Sequence, residues 1–140
     1  MSDTSGRIVV GIDGSPSSAQ ALRWAVGLAR FTGDEVHAVI GWAPPTSYGW
    51  GPVVEDIDWQ ENARSVLAQS VKGALGGADA DHVRQDVVRG HPAQVLVDAA
   101  ADADLLVVGS RGHGGFAGML LGSVSQHVAA HAHCPVAVIR

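Results

Sequence analysis

Leu105-Leu106-Val107-Val108 is apolar at every position. A strand with no polar face has to be covered on both sides, which is the condition of the inner strands of a parallel sheet. Ile8-Val9-Val10-Gly11-Ile12 and the stretch from Val36 to Trp42 are further apolar runs of strand length. Between them the periodicity changes from strand to helix. Ser15 and Pro16 start a helix as cap and first residue, Leu22, Ala25, Val26 and Ala29 repeat at helical spacing, and Gly33 stops it. From Asp58 the residues Ala63, Val66, Leu67, Val71 and Leu75 share one helical face up to Gly76-Gly77.

Gly90-His91-Pro92 opens a third helix through Val95, Leu96 and Ala99, and a fourth runs from Ser123 to about His133. Val83 to Arg89 carries more polar residues than the other strands and suits a sheet edge, and Pro135 to Ile139 forms the last strand. The order β-α-β-α-β-α-β-α-β predicts an α/β fold: an open, twisted, five-stranded parallel sheet, Rossmann-like, with right-handed crossovers, helices on both faces and strand order 3-2-1-4-5. A chain of 140 residues fits one domain over 1–140, and no internal repeat interrupts it.

Composition narrows the partners. The formal net charge of −5, with no stretch rich in Lys or Arg, disfavours a nucleic-acid polyanion. Met1 to Arg7 is polar and unlike a signal peptide, and no apolar run approaches the roughly 18 residues of a membrane span, so the expected compartment is the cytoplasm and no membrane partner is expected. The single cysteine, Cys134, permits no internal disulfide, and its place before Pro135 reads as structural.

In such a sheet a ligand sits beyond the carboxyl ends of the strands, where the winding reverses. The residues leaving strands 1 and 4 are Asp13-Gly14-Ser15 and Gly109-Ser110-Arg111-Gly112, the latter continuing through Gly114, Gly115 and Gly118 to Gly122-Ser123. Glycines let phosphate oxygens approach backbone N–H groups, and the following helix start offers free amides and a positive dipole end. Ser123 and Ser125 add hydroxyls, and Arg111 either supplies charge or faces solvent. Neither a Gly-x4-Gly-Lys-Ser/Thr loop nor a Gly-x-Gly-x-x-Gly turn after strand 1 is present, which speaks against a Walker-type ATPase and against NAD.

The Val-Gly-Ile-Asp-Gly-Ser opening, the Arg-Gly-His-Pro-Ala start of the third helix, Leu-Leu-Val-Val-Gly-Ser-Arg-Gly and the closing His-Cys-Pro-Val-Ala-Val-Ile resemble the universal stress protein family over essentially the whole chain. The ATP-binding branch of that family carries Gly-x2-Gly-x9-Gly-Ser/Thr, which reads here as Gly109, Gly112, Gly122 and Ser123. The resemblance implies ATP, with magnesium, as ligand. Asp13 would contact the ribose or a phosphate-bound magnesium. Gly109 and Gly112 would line the phosphates, and Gly122, Ser123 and Ser125 would hold the distal ones, with Val108 and Val124 as flanking binding positions. Backbone groups at Ile40 and Gly41 would receive the adenine edge, although Gly41 stands where the family often has valine.

Other residues have two readings. Asp13 also suits a turn that bonds nearby backbone. His127 and His131 have the spacing of a two-histidine metal face, but no Glu follows the first and no third ligand is evident, so they read as structural. His113 either touches the nucleotide or faces solvent. Tyr48 and Trp50, in the Pro/Gly-rich loop of 43–57, either form a lid or pack locally. Val136 to Ile139 would be an open edge with no charge or proline inside it, and pairing with its own copy would give a homodimer, as the resemblance also implies. The function expected is nucleotide-dependent regulation or sensing. The alternatives are a slow ATP hydrolase, for which no base is evident, and a structural dimer without ligand.

Overall fold

The computed structural model describes residues 6–43, 58–111 and 122–140. Along the chain these form β1 (Arg7–Gly11), α1 (Pro16–Thr32), β2 (Glu35–Trp42), α2 (Trp59–Leu75), α3 (Gly77–Ala80), β3 (Val83–Arg89), α4 (Pro92–Ala99), β4 (Leu105–Gly109), α5 (Ser123–His131) and β5 (Val136–Ile139). The strands make one sheet in the order β3-β2-β1-β4-β5, and all four pairings are parallel. Fold class and strand order are those expected from the alternation of apolar runs and helical segments.

Alternate residues of each strand serve opposite layers. Ile8 and Val10 of β1, Val36, Ala38 and Ile40 of β2 and Val107 of β4 pack beneath α1 and α2, against Leu22, Ala25, Leu67 and Val71. Val9, Val39, Leu106 and Val108 point the other way, toward Val95 and Leu96 of α4 and Val128 of α5. The register Val9 with Leu106 and Val10 with Val107 keeps β1 and β4 in step across both layers. This two-sided burial is why Ile8, Val9 and Val10 of β1 and Leu106, Val107 and Val108 of β4 are all apolar, with Arg7 only at the outer end of β1.

Caps fix the helix starts that lead away from the sheet. Ser15 Oγ accepts from Ser18 N at 3.1 Å, Asp58 Oδ1 from Glu61 N at 3.0 Å, and His91 Nδ1 from Ala93 N at 3.3 Å. Gly33, at φ 80°, ends α1 in the left-handed conformation that glycine adopts without strain.

Three details differ from the sequence reading. Gly76-Gly77 does not simply end a helix: Gly76 closes α2 at φ 75°, and the chain then makes the short α3 before β3. α5 stops at His131 because Ala132 is already extended (φ −64°, ψ 148°), ahead of the turn into Pro135. β5 starts at Val136, one residue late, since proline lacks the N–H a ladder needs, although its carbonyl still accepts from Leu106 N at 2.9 Å.

The two sheet edges are unlike. β3 exposes Arg84, Gln85 and Arg89. Every residue of β5 is only half-buried, without a charge among them.

Leu22 is 0% exposed at the centre of the α1 layer. Leu22→Ala is expected to lower unfolding free energy by about 2–5 kcal/mol, since a cavity remains where the side chain was. Urea unfolding followed by circular dichroism checks this, and an unchanged midpoint would place α1 elsewhere.

Candidate functional site

β1 leads into α1 on one face of the sheet, and β4 leads toward α5 on the other. The segments leaving these neighbouring strands therefore part, and a crevice opens at their carboxyl ends. β2 forms one wall. β1 ends at Gly11, paired with Val39, so Ile40, Gly41 and Trp42 overhang it, and only β3 pairs with them. Ile40 is buried, and a Cβ at Gly41 would lie 2.9 Å from Pro92 Cα and 3.1 Å from Val95 Cβ. The first turn of α4 thus explains why glycine rather than valine stands there.

Asp13 sits at the turn from β1 to α1. Its Oδ1 accepts from Ser15 N at 2.9 Å, Gly14 follows at φ 83°, and Asp13 N donates to Ser18 Oγ at 3.4 Å. The turn-forming role is therefore real. It does not consume the residue, because the carboxylate is exposed at the crevice with its second oxygen uncommitted among the described residues.

On the β4 side, a Cβ at Gly109 would fall on Ser17 Oγ and 2.7 Å from the Ser17 carbonyl carbon. Ser17 Oγ also accepts from Arg111 N at 3.2 Å. Glycine at 109 is thus demanded by the close approach of α1, whatever a ligand requires. Val108 is buried beneath α4. Arg111 is exposed.

Ser110 joins the ends of the glycine-rich stretch. Its N–H donates to Ile139 O at 2.8 Å, while its carbonyl accepts from Gly122 N at 2.6 Å. The start of α5 is thereby fixed beside the end of β4. Unlike α1, α2 and α4, α5 has no side-chain cap. The amides of Ser123, Val124 and Ser125 are left without an acceptor among the described residues, aimed as first-turn helix donors. Ser123 is exposed and Val124 is half-buried. Ser125 is buried, and its hydroxyl has Gly122 O at 3.0 Å and Ser110 O at 3.4 Å as acceptors, so it offers a ligand its amide rather than its hydroxyl. Ser17 and Ser18 are site-building residues that sequence reasoning did not single out, and Ser110, named there only as part of the segment leaving β4, proves to tie that segment together. The run Pro16-Ser17-Ser18 after Asp13-Gly14-Ser15 was the available signal.

Gly112, His113, Gly114, Gly115, Gly118, Tyr48 and Trp50 lie outside the described residues. Among the described residues no group of three His, Cys, Asp or Glu side chains could hold a metal, and no helix is long and apolar enough to cross a membrane. The rings of His127 and His131 lie 4.4 Å apart, tilted by 41°. Cys134 precedes β5 at the other end of the sheet, where burial first and the Asp104 carboxylate second push its thiol up.

Comparison with known proteins adds to this geometry. The model described as the universal stress protein family matches residues 4–140. A universal stress protein of Mycolicibacterium smegmatis is 40% identical over 138 residues, which are 95% of this chain and 45% of that protein. The chain thus spans about half the length of the curated relatives it matches. The structure of universal stress protein UspA from Lactobacillus plantarum superposes with a TM-score of 0.79 at 22% identity, covering 99% of this chain and 100% of that one. A universal stress protein in complex with cAMP superposes at 0.72 with 29% identity, covering 99% and 98%.

Two predictions follow from packing at the two ends of the sheet. Gly109→Ala is expected to destabilise the ligand-free protein by about 1–3 kcal/mol, because Ser17 and its backbone must move, and a wild-type urea midpoint would contradict that contact. A raised thiol holds less thiolate at a given pH, so Cys134 should alkylate slowly near neutrality and faster as pH rises past the ordinary thiol range. Asp104→Asn removes the like charge and should speed iodoacetamide labelling at pH 8. An unchanged or slower rate would contradict the assigned cause.

Proposed function

The chain belongs to the universal stress protein family, and we propose that residues 1–140 form one ATP-binding domain acting by nucleotide-dependent regulation rather than by turnover. The observation that carries the reading is the uncapped start of α5, held by the Gly122 N to Ser110 O bond beside the end of β4. Free first-turn amides and the dipole end favour an anion. The crevice they face runs between β1 and β4 and along the overhanging end of β2. A phosphate chain at α5 with its adenosine laid toward Ile40 and Gly41 fits that span. The related structure in complex with cAMP supports an adenine nucleotide as the class of ligand.

In this reading the amides of Ser123, Val124 and Ser125 hold the distal phosphates, Gly112 and Gly122 keep the approach open, Gly109 lines the phosphates by its position at the end of β4, and Val108 and Val124 form the apolar floor beside them. Asp13 contacts the ribose or a magnesium carried by the phosphates. One exposed carboxylate suits magnesium, which keeps several waters and takes other ligands from phosphate. Binding is favoured over hydrolysis because phosphoryl transfer needs a placed base and charge stabilisation in the transition state. The carboxylate at the crevice, Asp13, holds the turn through one oxygen. The expected compartment is the cytoplasm, nucleic acid and membrane are not partners, and two copies pair through the outer edge of β5.

Calorimetry on refolded, nucleotide-stripped protein tests the site. ATP with magnesium should bind, and Gly122→Val should weaken binding tenfold or more. Gly122 has an extended backbone (φ −71°, ψ 165°) that valine also adopts, so the loss would come from lost space beside the phosphates and not from strain. Wild-type affinity in the variant would put the nucleotide elsewhere, and steady phosphate release over hours would replace the regulatory reading with a hydrolase.

A further inference from the structure

His127 and His131 stand four residues apart on α5, with ring centroids 4.4 Å apart and planes tilted by 41°. Residues at that spacing lie one above the other on a single helix face. His131 is exposed and His127 half-buried. α5 meets its core layer through Val124, Val128 and Ala132, so the helix is seated on apolar residues other than this pair. A histidine kept for structure uses a ring nitrogen as donor or acceptor. These two do not: among the described residues no hydrogen bond or ion pair reaches either ring. α5 itself carries no acidic side chain that could pair with them.

The ring separation is that of a chelate. An imidazole nitrogen binds a transition ion at about 2.0–2.1 Å, which places the ring centroid roughly 3.2 Å from the ion. Two rings on neighbouring positions about 90° apart then have centroids roughly 4.5 Å from each other, and two rings at the tetrahedral angle roughly 5.2 Å. The observed 4.4 Å matches the first. No third His, Cys, Asp or Glu completes a metal-holding group among the described residues, so water takes the other positions. Structural zinc, held by four protein ligands, is disfavoured there, whereas divalent copper and nickel accept square-planar or tetragonal nitrogen and oxygen donors. The place along the helix agrees. His131 is the last residue of α5, where the negative end of the helix dipole favours a cation.

We propose that His127 and His131 chelate a divalent copper or nickel ion at the C-terminal end of α5, through one nitrogen of each ring and with water in its remaining positions. Two metal–nitrogen bonds then span one helical turn and hold the end of α5 against fraying. Ser123, whose amide faces the crevice, lies about 12 Å away along the same helix axis. Ion and nucleotide would thus occupy opposite ends of α5. The metal site needs no nucleotide and stands or falls apart from the crevice.

Calorimetric titration of nickel chloride into the nucleotide-stripped full chain tests this, with wild type, His127→Gln, His131→Gln, the double variant and His133→Gln, an exposed histidine outside the pair. Nickel is the probe because, unlike copper, it does not oxidise the Cys134 thiol. Wild type and His133→Gln should bind one ion per chain with the same affinity. Each pair variant should lose tenfold or more with an unchanged far-UV spectrum, and the double variant should lose little beyond either single one, because a lone imidazole cannot chelate. Nickel should also raise the urea midpoint of the wild type and leave that of the double variant where it was. Cobalt in the site should absorb only weakly in the visible, and intense tetrahedral bands would overturn the geometry assigned to the ion. A wild type that takes up no nickel, an equal loss in His133→Gln, or a loss under threefold in both pair variants would overturn the site.

Discussion

β1 bonds to β2 along one edge and to β4 along the other, and the winding of the chain reverses between them. Most of what the molecule offers a ligand depends on that pairing. Because right-handed crossovers step from β1 to β2 in one direction along the sheet and from β4 to β5 in the other, α1 and α5 start on opposite faces, and the loops feeding them separate. The crevice is a by-product of burying two apolar strands on both sides. Its walls are set by contacts that need no ligand: Ser17 against Gly109, Pro92 against Gly41, and Gly122 tied to Ser110.

That division explains the serines and glycines around the crevice. Ser15 and Ser18 satisfy the start of α1 internally, and Ser125 turns its hydroxyl inward to the carbonyls of Gly122 and Ser110. α5 alone among the longer helices begins without a side-chain cap. Its first-turn amides are the groups in this region whose hydrogen-bonding capacity the described fold does not use. Polar groups of that kind are satisfied by water or by an anionic ligand. Glycine at 109 and 41 has a packing cause, so a ligand role for either rests on position and not on the absence of a side chain.

The strands and their order were legible because continuous apolar runs report two-sided burial locally, at the residue itself. Helix starts were legible for the same reason at Ser15-Pro16 and His91-Pro92, where capping is a matter of three neighbouring residues. What sequence did not reveal depends on distant partners. Ser17 meets Gly109 at a sequence separation of 92 and Gly41 meets Pro92 at one of 51, so both glycines looked like ligand contacts when a helix was crowding them. α3 was missed because Gly76-Gly77 reads as a stop, with no local sign that a further turn follows.

The central claim, that an adenine nucleotide occupies the crevice between β1 and β4 with its phosphates on α5, is tested most directly by hydrogen exchange with and without ATP and magnesium. Slowed exchange at the amides of residues 13–15 and 122–126, with β3 and the segment around Cys134 unchanged, is the predicted result. Protection confined to the β3 edge or to the Cys134 end of the sheet, or no protection under conditions where binding is measured, would contradict it.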